Sequence, residues 1–158
     1  MTEELRVPKR KVPVEVGLSG GGTRRVAVFL AEYASHHTGA ERLGDLLNGE
    51  GEFIPALDEE AKAMTFVNRA GVAFARVSRA VEAGGDGELT IPTEHTVEVA
   101  LVDGRTLRGL VSYVLPPERS RLVDYLNDGP PFFPLLEADA VVLVNRRLVS
   151  RVVALRDP

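Results

Sequence analysis

Arg42, Asp45 and Asn48 return at the same spacing as Arg121, Asp124 and Asn127. A carboxylate and an amide three positions apart share one face of a helical turn. Such a face could make polar contacts to a ligand or a partner. The competing assignment is local: the Asp accepts from nearby backbone amides and the Asn ends the turn. Arg42 and Arg121 lie on the same face and can pair with these Asp side chains. A surface pair of that kind contributes only about 0–1 kcal/mol.

A second set is basic. Asn68-Arg69 and Asn145-Arg146 fall where a hairpin must turn, and Asn tolerates positive φ. Arg69, Arg76, Arg146, Arg147 and Arg151 would then form an arginine rim able to meet a phosphate or an acidic partner. His36, His37 and His95 are scattered, and a metal site wants three or four convergent ligands. Gly20-Gly-Gly22 follows a strand pattern but lacks the Lys-Ser/Thr and the helix start of a phosphate loop. These glycines read as a loose hairpin tip. No nucleophile, base and acid set is visible, and the chain has no cysteine. The expectation is a protein that is not an enzyme and needs no cofactor or metal.

The elements that carry these residues are written twice. Arg42-Leu-Gly-Asp45-Leu-Leu47-Asn48, Phe53-Ile-Pro55-Ala-Leu57 and Val67-Asn68-Arg69 recur in order as Arg121-Leu-Val-Asp124-Tyr-Leu126-Asn127, Phe132-Phe-Pro134-Leu-Leu136 and Val144-Asn145-Arg146. Upstream of each stands an alternating run, Val14-Glu-Val-Gly-Leu18 and Val97-Glu-Val-Ala-Leu101. Four signals in one order indicate a tandem duplication. The dominant period is two, so most of each copy is strand. The boundaries read as an arm over 1–11, copy one over 12–79, an acidic Gly-rich linker over 80–95 and copy two over 96–155. Each copy reads as five short strands and one helical turn, which predicts a mainly β protein of two small barrels related by a pseudo-twofold. A single sheet running through both copies is incompatible with two separate barrels.

Val97-Glu-Val-Ala-Leu-Val-Asp-Gly104-Arg-Thr-Leu-Arg-Gly109 resembles the opening strands of the Sm-like small barrels. Val141-Val-Leu-Val-Asn145-Arg-Arg-Leu-Val149-Ser-Arg-Val152 is similar to their closing hairpin. The resemblance covers most of copy two and, more loosely, copy one. It extends to uncharacterised bacterial Sm-like proteins carrying the Arg-x-x-Asp-x-Leu-Asn segment. The resemblance implies the tandem barrel fold, with RNA or DNA binding as an alternative function. Family members that bind RNA have an Asp-x-Asn pair and a late Arg-Gly turn. Here those places hold Asp-x-x-Asn and Asn-Arg, so RNA binding does not transfer residue by residue. Arg6-Val-Pro-Lys-Arg10 resembles the arginine motif of PilZ domains, which implies a cyclic di-GMP alternative.

The 158 residues carry a net charge of −4, are 44% apolar and 27% charged, and suit a soluble globular protein. No apolar run approaches the roughly 18 residues of a membrane span, and the first residues do not form a signal peptide. The expected location is the cytoplasm. The bias of Arg over Lys suggests a GC-rich bacterial genome. Residues 1–79 and 97–158 are each electrically neutral, so the acidic surplus lies between them. Neither copy has the positive balance that phosphate binding favours. The leading expectation is therefore an interaction or scaffold module with a protein partner or a second copy. The apolar Gly129-Pro-Pro-Phe-Phe-Pro134 segment is one candidate surface, although its Phe side chains also suit a core.

Overall fold

Alternation decides which side chains go inside. Val12, Val14 and Val16 are buried in the first strand, and Val97, Val99 and Leu101 in its counterpart. The structure is a computed structural model in which residues 9–34, 39–82 and 91–155 are described. Its strands are β1 (Lys9–Leu18), β2 (Thr23–Ala31), β3 (Phe53–Asp58), β4 (Ala63–Asn68), β5 (Val72–Ser78), β6 (Thr93–Leu101), β7 (Thr106–Tyr113), β8 (Phe132–Leu136), β9 (Ala140–Asn145) and β10 (Val149–Ala154). Three short helices, α1 (Leu43–Leu47), α2 (Arg79–Glu82) and α3 (Leu122–Asn127), lie between them. Two boundaries differ from expectation. The arm over 1–11 gives way to β1 at Lys9, because Lys9–Lys11 pair with Phe29–Ala31. The linker over 80–95 begins inside α2 and ends inside β6, where Thr93–His95 pair with Val111–Tyr113. The central linker residues, like Arg6, His36 and His37, lie outside the described residues.

All ten strands are antiparallel neighbours in one open sheet, in the order β10-β6-β7-β8-β9-β5-β1-β2-β3-β4. This corrects the expectation of two separate barrels: a continuous sheet threads both copies. The physical cause is the backbone of β5 and β9. An unpaired strand edge leaves N–H and C=O groups without partners. β5 and β9 pair with each other, Phe74 opposite Val144 through Ser78 opposite Ala140. The pseudo-twofold is corrected as well. Twofold packing would bring like strands together, whereas here the fifth strand of copy one meets the fourth of copy two. Inside each copy the strand order is nevertheless the same, β5-β1-β2-β3-β4 and β10-β6-β7-β8-β9.

Two hydrophobic clusters form, one over each copy, and the join interlocks them. Phe132, Val141 and Leu143 of copy two belong to the first cluster. Ala73 and Phe74 of copy one belong to the second. β9 therefore buries both faces, Val141 and Leu143 on one side and Val142 and Val144 on the other. A strand buried on both faces reads as a continuous apolar run rather than an alternating one. Gly109 allows close approach in β7. A Cβ there would lie 2.6 Å from the Leu136 carbonyl oxygen and 2.8 Å from Leu135 Cγ.

Candidate functional site

Both Arg-x-x-Asp-x-Leu-Asn segments form the helical turn their pattern predicts. Leu43 and Leu47 are buried under α1. The Asp45 carboxylate accepts the Arg42 backbone N–H at 2.8 Å and closes the first turn. Asp124 does the same for Arg121 at 3.2 Å, and also accepts from the Arg121 guanidinium at 3.1 and 3.2 Å. That guanidinium holds the Asp124 carboxyl below the ordinary range.

The two Asn residues differ. Asn48 clasps the backbone of Phe132: its Oδ1 accepts the Phe132 N–H at 2.8 Å and its Nδ2 donates to the Phe132 carbonyl at 3.1 Å. Phe132 lies in the other copy, so this amide acts as one more rung of pairing for β8. Asn127 is exposed, and its side chain makes no hydrogen bond among the described residues.

A groove of about 680 Å³ runs between α1 and α2 of copy one and β8–β9 of copy two. Arg42, Asp45 and Asn48 line it, with Arg79 and Glu82 at its side and Phe132 among its apolar lining. Arg121, Asp124 and Asn127 are not part of it. The two Asp-x-x-Asn faces therefore neither bury each other nor flank one groove. Glu82 was missed in the sequence because its contacts are remote. Its carboxylate accepts from the Leu43 and Gly44 N–H groups at 2.5 and 3.2 Å. Burial pushes that carboxyl above the ordinary glutamate range. Arg79 donates to the Ala138 carbonyl at 3.3 Å.

Most of the predicted arginine rim faces inward. Arg69 donates to the Leu46 carbonyl at 2.8 Å, at the end of α1. Arg146 occupies the equivalent place. It donates to the Tyr125 carbonyl at 3.2 Å, to the Leu126 carbonyl and, through Nε at 3.3 Å, to the Pro130 carbonyl. Both satisfy carbonyls that a helix end leaves open. Arg76 is ion-paired with Glu15 and Glu137. Arg147 and Arg151 remain exposed. The Asn residues of these turns work by capping, not by positive φ. Asn68 has φ −71° and accepts the Ala70 N–H, while Asn145 has φ −73° and accepts the Arg147 N–H. Asn145 also donates to the Val72 carbonyl at 2.9 Å, across the join.

The other candidates have structural partners. His95 lies 3.2 Å from the Tyr113 hydroxyl, and Tyr113 stacks on Tyr125 with ring centroids 4.6 Å apart. Gly20, Gly21 and Gly22 take positive φ. Their hairpin tip is held from copy two, by Arg105 donating to the Gly22 and Leu18 carbonyls at 3.1 and 2.5 Å. Arg10 sits in β1 and donates to the Glu41 carbonyl at 3.2 Å. Phe132 and Phe133 are fully buried, so this pair of the Pro-Pro-Phe-Phe-Pro segment fills the cores. Among the described residues no group of three His, Asp or Glu side chains could hold a metal, and no helix is long and apolar enough to cross a membrane. No protein-family model, no curated protein and no solved structure matches this chain.

Proposed function

We propose that this protein is a non-catalytic interaction module, a scaffold in which two Sm-like five-strand units share one open sheet, and whose working surface is a strand edge. One observation carries the reading. Asn48, Arg69 and Arg146 are engaged in holding backbone, while β4 ends the sheet with Met64 and Phe66 exposed. An exposed edge strand without charges is a template for pairing with another chain. The shared strand order of the two copies supports the duplicated unit. A location in the cytoplasm belongs to the same proposal.

The test uses a double variant, Met64→Lys with Phe66→Lys, on exposed positions. The tagged wild-type chain should retain a partner, another protein or another copy, that the variant releases while melting at the same temperature. Equal retention by both would sink the reading. A nucleic-acid reading keeps one observation in its favour, the exposed Arg147 and Arg151 near β10. Binding to RNA or DNA that weakens steeply with salt and with Arg147→Ala/Arg151→Ala would support it; no binding at low ionic strength would remove it.

A further inference from the structure

We propose that the chain assembles head to tail with further copies of itself, β10 of one copy pairing with β4 of the next in the register that joins β5 to β9 internally. The inference rests on the interaction-module reading and names its partner.

The repeat makes β4 the counterpart of β9, and β10 the counterpart of β5. Within the chain those two counterparts are mated: Phe74 lies opposite Val144, Ala75 opposite Leu143 and Arg76 opposite Val142. Their equivalents stand at the two ends of the sheet. Carrying the register over places Arg151 opposite Val67 of the next copy, Val152 opposite Phe66, and Val153 opposite Thr65. Burial records what the missing neighbour would cover. Leu143 and Val141 are 2% and 5% exposed, whereas their counterparts Phe66 and Met64 are 64% and 50% exposed. β4 has no charged residue and no proline to discourage pairing.

A second observation points to the same contact. Asn48 clasps Phe132, and the counterparts of that pair are Asn127 and Phe53. Asn127 is exposed with an unused amide, and Phe53 is 56% exposed where Phe132 is 1%. The head-to-tail contact would bring Asn127 of one copy to the Phe53 backbone of the next. It would also line a second groove with Arg121, Asp124 and Asn127, a groove that one chain leaves half-built. The join differs from the internal one in its side chains: Arg151 stands where Phe74 is buried, and Val152 where Ala75 is. Val153 stands where Arg76 binds Glu137, so the external contact lacks that ion pair. Because unlike edges meet, assembly closes into a ring or continues as a filament.

The chain has no cysteine, so introduced thiols report cleanly. Val153→Cys chains and Thr65→Cys chains are mixed under mild oxidation, after each variant is shown to melt like the wild type. Disulfide-linked dimers are expected in that mixture. Neither variant alone should form them, nor should Val153→Cys with Phe66→Cys, whose side chain lies on the opposite sheet face. Light scattering of the wild type should give multiples of 17.1 kDa. Asn127→Ala should weaken association at least tenfold. A wild type that stays at 17.1 kDa with no cross-link in the first mixture overturns the proposal. Cross-links in every mixture overturn it too, by showing unspecific contact. If the proposal falls while Met64→Lys/Phe66→Lys still releases another protein, the module reading survives; if that variant releases nothing, both fall.

Discussion

Asn48 and Asn127 are the same residue in the same motif with different work to do. Asn48 satisfies both backbone groups of Phe132, and removing it leaves a donor and an acceptor without partners in a half-buried place. Asn48→Ala should therefore lower the unfolding free energy by about 1–3 kcal/mol in urea titrations. Asn127→Ala in the dissociated chain should stay within about 0.5 kcal/mol of wild type. Equal effects would contradict the asymmetry. Glu82 supplies a prediction about pH. Burial raises its folded-state titration above the ordinary glutamate range, so the protonated form is favoured in the fold. Its contribution is complete below the ordinary range and is lost as pH rises through the raised value. Wild-type stability should fall relative to Glu82→Gln over that window, and parallel profiles would refute the assignment. None of this was legible in the motif. Spacing placed Asp45 and Asn48 on one turn, but the partner that separates Asn48 from Asn127 is far away in sequence.

At the scale of elements, the strands and helical turns followed from period and repeat. The helical turns at Leu43–Leu47 and Leu122–Asn127 fall within the repeated motif, and the last hairpins turn at Asn68-Arg69 and Asn145-Arg146 as the pattern requires. The join of β5 to β9 was not foreseen, because nothing local announces which edge meets which. A signal did exist. Val141-Val-Leu-Val144 is apolar throughout, whereas its counterpart carries Thr65 between Met64 and Phe66. Such a run marks a strand covered on both faces. Gly109 belongs to this scale too. Gly109→Ala would press a methyl onto the Leu136 carbonyl, so we expect a loss of about 1–3 kcal/mol. Gly71→Ala meets nothing within 4 Å and should change stability by less than about 0.5 kcal/mol. Thermal melts of the two variants side by side test this.

For the whole molecule, the interlocked cores set the cooperativity. Phe132 completes the core of copy one and Phe74 that of copy two, so neither copy keeps its packing when the other is lost. Calorimetry should give one transition with equal calorimetric and van't Hoff enthalpies. Two resolved transitions would mean that the copies unfold separately.

The position of the two chain ends in the sheet has a mechanical consequence. In the dissociated chain β10 lies at one end of the sheet and is held along one side only, by β6. The N-terminal strand β1 is clamped between β2 and β5. A force drawing on the tail can peel β10 away one rung at a time, like a zip. The same force applied at the head must tear β1 free of two neighbours at once. A protease machine that threads its substrates should therefore unravel this protein far more readily from a tag at the tail than from one at the head.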